Sequence, residues 1–131
     1  MPLENFPPGS PSDWLRHAHS DLGLAGARDS QDVLLETLCF HAQQDAEKAL
    51  KALLVYKGIA VPKTHNIRTL LDILSSDVSI PKNLEEAAIL TNYAVTSCYP
   101  GEYEQIGDDE YIEAIRLAKN VIRWVEEQIS V

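Results

Sequence analysis

Apolar residues recur along this chain at steps of three and four, and nowhere alternate with polar ones in the period-two manner of a strand. The longest such stretch, Val33 to Lys57, contains no Gly or Pro. It places Leu35, Leu38, Cys39, Ala42, Ala46, Ala49, Leu50 and Leu53 on one side of a helix. At about 1.5 Å per residue that helix would be roughly 37 Å long, the height of a small bundle. Its other face carries Glu36, Gln43, Gln44, Glu47, Lys48 and Lys51, and reads as a solvated surface braced by i,i+4 pairs from Glu47 to Lys51 and Gln44 to Lys48. On that reading, replacing Glu47 should cost far less than replacing Leu38 or Ile122 at stripe centres.

The other stretches assemble around it. Residues 1–11 are rich in proline, cannot sustain a helix, and read as a flexible N-terminal arm. Ser12 is expected to cap a first helix whose stripe is Trp14, Leu15, Ala18, Leu22 and Ala25. Ser30 or Asp32 would cap the long helix, and Gly58 marks its end. Val61-Pro62 holds the chain extended, after which Thr64 would cap a short helix to Leu74 that buries Ile67, Leu70, Leu71 and Leu74. Pro81 opens a further helix to about Ser97, with Leu84, Ala87, Ala88, Thr91, Ala94 and Val95 inward. A loop around Pro100 and Gly101 leads to a last helix, capped at Asp108 or Asp109, with Tyr111, Ile115, Ala118, Ile122, Val125 and Ile129 inward. The expected fold is all-α: an antiparallel up-and-down four-helix bundle with one additional short helix, a single domain over residues 12–131. Leu54, Val55 and Tyr56, beside Leu50 and Leu53, exceed what a four-helix core needs, so a homodimer is expected.

Composition narrows the function classes. Twenty acidic residues against eleven basic ones give a net charge of −9, which repels polyanions and argues against strong unaided nucleic-acid binding. The basic residues that do cluster are Lys48, Lys51, Lys57, Lys63 and Arg68. Cys39 and Cys98 lie far apart without companion ligands, so neither a zinc site nor a disulfide framework is indicated, and Cys39 sits on the apolar stripe as a small hydrophobe. No apolar run reaches about 18 residues and no basic-then-apolar leader is present, so no membrane span or signal peptide is expected, and a cytoplasmic location is.

Catalytic and metal chemistry leave little trace. His17 and His19 point about 200° apart on their helix, and neither Glu-x-x-His nor His-x-x-x-His pairs occur, so no metal or cofactor is expected. Asp108, Asp109 and Glu110 are explained by helix capping. His41 sits beside the apolar stripe with Gln44, Asp45 and Lys48 one and two turns further on. That row suits a ligand or a second subunit, or it marks a boundary histidine bonded to a neighbouring helix.

Four segments together carry a resemblance: CFHAQQDAEKALKALL, THNIRTLLDIL, LTNYAVTSCYPGEYE and AIRLAKNVIRWVEEQI. In this order and spacing, over residues 13–129, they resemble the HEPN domain family (higher eukaryotes and prokaryotes nucleotide-binding), in particular its small prokaryotic members. The resemblance implies a helical bundle that usually dimerises, is partnered by a minimal nucleotidyltransferase in a toxin-antitoxin or defence-type module, and has a proposed nucleotide-binding role. A ligand groove would then be lined by His41, Gln44, Lys48, His65, Asn66 and Tyr99. Ribonuclease members of the family carry an Arg followed four to six residues later by His. Here Arg16 is followed by His17 and His19, Arg28 by His41, and no His follows His65, while Cys98 stands where relatives commonly have Arg before Tyr-Pro. The implied protein is non-catalytic by itself; the alternative is a HEPN ribonuclease with a non-standard active site.

Overall fold

Ser10, not Ser12, caps the first helix, α1 (Pro11–Ala25): its hydroxyl accepts from the Asp13 N–H at 3.2 Å. Pro11 takes the first helical position, where a missing N–H is no loss. The Asp13 carboxylate accepts in return from the Gly9 N–H at 3.1 Å, and Arg16 lies 5.3 Å from the centre of the Phe6 ring. In the computed structural model, which describes residues 6–28, 32–96 and 105–129, all regular structure is helical.

The long helix, α2 (Leu35–Tyr56), begins without a side-chain cap: Leu34 holds the cap position, and Asp32 adopts a left-handed backbone with φ 68° instead of capping. Ser30 lies outside the described residues. Lys57 and Gly58 end the helix, and the φ of 72° at Gly58 is the conformation that glycine adopts without steric cost. The largest correction to the sequence reading concerns the polar side of α2. Glu36, Gln43, Glu47 and Lys51 are buried: Trp14 of α1 lies beside Lys51, the segment around His65 bonds Gln43 and Glu47, and Ile106 bonds Glu36.

The third helix, α3 (Ile67–Leu74), is capped by Asn66, whose side chain accepts from the Thr69 N–H. The expected cap, Thr64, instead accepts from the N–H of Asn66. Ile67, Leu70, Leu71 and Leu74 are buried as expected. The single helix expected from Pro81 is instead α4 (Lys82–Glu85), a 3-10 segment (Glu86–Asn92) and α5 (Tyr93–Thr96). Burial at Leu84, Ala87, Leu90 and Tyr93 steps by three, which is the 3-10 period. Ala88, Thr91 and Ala94 are accordingly only half-buried, and Ile89 faces solvent.

The last helix, α6 (Asp108–Ile129), buries Tyr111, Ala114, Leu117, Ala118, Val121, Ile122, Trp124 and Val125. Gly107 precedes it, so Asp108 and Asp109 belong to its first turn and not to the cap position. Two bonds fix its register: the Ile106 N–H donates to the buried Glu36 carboxylate at 3.1 Å, and the Tyr111 hydroxyl donates to the Ala25 carbonyl. The start of α6 therefore lies beside the start of α2 and the end of α1, as an up-and-down bundle requires. α2 runs through its middle, packed chiefly on α1 and α6. Leu54 is fully buried, so it supplies none of the surplus apolar surface expected of it.

Candidate functional site on the central helix

Phe40, Gln44 and Lys48 are four residues apart on α2, half-buried, and form the floor of a groove. On one side stands α1. Asp21, a largely buried α1 residue, accepts from His41 Nδ1 at 2.9 Å with one oxygen and from Lys48 Nζ at 2.7 Å with the other. The rings of Phe40 and His41 meet edge-on, with centroids 5.6 Å apart. His41 is thus held by a neighbouring helix, the bonded boundary position weighed as the plainer reading of the sequence.

On the other side stands the chain entering α3. Glu47 is the hub there, accepting from Lys51 Nζ at 2.8 Å, from Gln43 Nε2 at 3.0 Å and from His65 Nδ1 at 2.9 Å. Burial alone would raise the Glu47 pKa, but these donors together outweigh it and hold the carboxyl below its usual range. Gln43 also donates to the His65 carbonyl at 3.0 Å, and Gln44 donates to Gln43 Oε1 at 2.7 Å. The imidazole of His65 is thus anchored through Nδ1 while its side chain remains 71% exposed.

Two concavities open along this floor. One of about 260 Å³ is lined by Phe40, Gln44, His65 and Ala94. The other, of about 280 Å³, is lined by Gly9, Asp13, Trp14, His17 and Lys48. Gln44 and Lys48 are one turn, about 6 Å, apart along α2, so each concavity takes one residue from the same helix stripe.

The structure brings Gln44 and His65 together and sets His41 and Lys48 on the α1 side of the same groove. Asn66 is committed to capping α3, and Tyr99 lies outside the described residues. Sequence reasoning missed Phe40, Asp21 and Glu47. The step of four from Phe40 to Gln44 was legible, and so was the triple Gln43, Glu47, Lys51 at i,i+4. Only the tertiary arrangement reveals that Asp21 and His65 close over them.

Asp45 is set apart from both clusters. It is fully buried on α2, and among the described residues neither carboxylate oxygen has a hydrogen-bond partner. Burial, reinforced by the charges of Asp21 and Glu126, pushes its pKa up to about 8. Cys39 is likewise fully buried; burial, helped by Glu110 and Glu36, pushes its thiol up to about 12, which leaves it inert.

An all-helical bundle with a polar groove along its central helix is the class of protein that this geometry defines. The model of the HEPN domain family matches residues 11–128, so the chain belongs to the HEPN family. It is similar to the crystal structure of ST0689, an archaeal HEPN homologue, with a TM-score of 0.73 and 31% identity over 92% of this chain and 98% of that one. It is similar also to TT1696 from Thermus thermophilus, with a TM-score of 0.73 and 33% identity over 91% of this chain and 98% of that one. No curated protein matches the chain. Among the described residues, no helix is long and apolar enough to cross a membrane.

Proposed function

We propose that this chain is a nucleotide-binding HEPN module, non-catalytic by itself, that acts in the cytoplasm with a minimal nucleotidyltransferase in a toxin-antitoxin or defence-type pair. The observation that supports this most is the concavity formed by Phe40, Gln44, His65 and Ala94. Phe40 offers an aromatic surface to a flat base, and the Gln44 amide offers hydrogen bonds to a base edge. His65 Nε2, fixed by the Glu47 carboxylate, adds a directed polar contact. Lys48, one turn along, supplies a cation for phosphate, and its neutralisation by Asp21 fits weak, reversible binding.

The test is calorimetric titration with AMP, ADP and ATP. Saturable binding is expected, weakened at least about tenfold, or about 1.4 kcal/mol, by Gln44→Ala or His65→Ala. No binding of any nucleotide overturns the ligand reading. Affinity purification from the native host tests the pairing: recovery of a short nucleotidyltransferase supports it, and its absence from a complex-preserving purification counts against it.

A second reading rests on the Glu47–His65 pair. An exposed imidazole oriented through Nδ1 by a carboxylate is the arrangement a general base needs, which favours a ribonuclease with a non-standard site. The Arg that would steady phosphorane charge four to six residues before a His is missing from the sequence, so this reading stands second.

A further inference from the structure

The direction of every hydrogen bond beneath the Phe40 concavity is fixed by Glu47. Its donors hold the carboxyl below the usual range, so at neutral pH it accepts and has no proton to give. The His65 carbonyl likewise only accepts. Gln43, fully buried, sends its amide nitrogen to both at 3.0 Å, and these contacts use both of its hydrogens. Turned over, the amide would set its oxygen against two oxygens, out of reach of solvent. Its orientation is therefore locked, and Gln43 Oε1 is the atom that meets Gln44.

Gln44 inherits that orientation. Its Nε2 donates to Gln43 Oε1 at 2.7 Å and reaches Glu47 Oε1 at 3.5 Å, so its N–H groups are spent on the network. What Gln44 has left to offer a ligand is Oε1, an acceptor. His65 repeats the logic: Nδ1 lies 2.9 Å from Glu47 Oε1, which requires the hydrogen on Nδ1 and makes the second nitrogen of the neutral ring an acceptor too. The other side chains lining this concavity, Phe40 and Ala94, carry no hydrogen-bonding atom.

We infer that the concavity selects a purine bearing an exocyclic amino group, as adenine does, and that Gln43 sets this preference by fixing the Gln44 amide from beneath. The inference deepens the nucleotide reading and rests on it. The amino group donates to Gln44 Oε1 while the ring lies against Phe40. A purine without that donor leaves Oε1 unpaired. Enclosed sites built to bond a polar group reject analogues lacking it by about 10⁴-fold or more. Gln44 is only half-buried and His65 is 71% exposed, so water recovers much of the loss, and a preference of about tenfold is expected. Gln43 is a positioning residue: buried under the floor, it acts only through its neighbour.

The experiment is calorimetric titration of the full chain with ATP and with purine riboside 5′-triphosphate, which carries hydrogen in place of the amino group. ATP is expected to bind at least about tenfold tighter. Gln44→Met should weaken ATP to the level of the analogue and leave the analogue unchanged. Gln43→Met, with folding checked by circular dichroism, should cut the preference to below about threefold while the analogue still binds, whereas a merely structural defect would weaken both ligands alike. The Gln44→Met comparison decides the matter if Gln43→Met does not fold. Equal binding of the two ligands by the parent overturns the amino-group inference and leaves the nucleotide reading standing. Binding of neither ligand sinks the nucleotide reading and the inference with it. A Gln44→Met chain, or a folded Gln43→Met chain, that keeps the full preference also overturns the inference.

Discussion

Glu47 and Asp45 are two residues apart on α2, both buried, and respond to burial in opposite ways. Glu47 meets three donors, which lower its pKa; Asp45 meets none among the described residues, and burial raises its pKa. Removing the Glu47 carboxylate would leave Lys51 buried beside the Trp14 ring without its counter-charge. Glu47→Ala should therefore destabilise the fold by about 3–5 kcal/mol, as loss of one partner in a buried pair does, and not by the small amount an exposed i,i+4 pair would suggest. Urea unfolding measures it; a change below about 1 kcal/mol would mean that the hub is not closed. Asp45 predicts a pH effect. An unfolded Asp titrates near ~3.9 and the folded one at about 8, so between these values the folded chain holds an extra proton. Stability contributed by that proton is complete at the acid end and is lost as pH rises through about 8. Asp45→Asn should exceed the parent in stability by at least about 1 kcal/mol at pH 8, with the gap closing toward pH 5. Parallel stability profiles would contradict this. Glu47, with its lowered pKa, has the opposite sign: its contribution is lost as pH falls through its folded pKa.

Among the elements, α2, α3 and α6 were legible from periodicity because their apolar stripes follow 3.6 residues per turn, and Leu38, Leu71 and Val125 are buried where those stripes place them. Leu38→Ala and Ile122→Ala should each cost about 2–5 kcal/mol in chemical denaturation, since both leave cavities in the core. The segment from Lys82 to Thr96 was not legible: steps of three and four fit Leu84, Ala87, Ala88 and Thr91, while the observed burial keeps strictly to three. Thr91 explains part of this, because its hydroxyl accepts from the Ile67 N–H and so must face the start of α3. Caps were misplaced by two residues at Ser10 and Asn66, because several hydroxyl and amide side chains compete at each helix start and local sequence does not rank them. The site was half legible. His65 and Gln44 meet, but the closing residues Asp21 and Glu47 belong to contacts across 18 to 27 residues of chain.

For the whole molecule, the net charge of −9 is the background against which its basic residues act. The central cluster is largely neutralised: Lys48 by Asp21, Lys51 by Glu47, Lys57 by Asp77, and Arg68 lies 3.8 Å from Asp72. The long-range pull on RNA from this face is thus weakened, and the purified chain is expected to leave structured and unstructured RNAs intact. Cleavage abolished by His65→Ala would instead promote the ribonuclease reading. The central claim is that the groove on α2 receives a nucleotide. Titration of the ¹⁵N-labelled chain with ATP, followed by amide chemical shifts, tests it most directly. Saturable shifts confined to Phe40, Gln44, Lys48, His65 and their immediate neighbours are predicted; shifts that never saturate, or that centre on the outer face of α6, would contradict it.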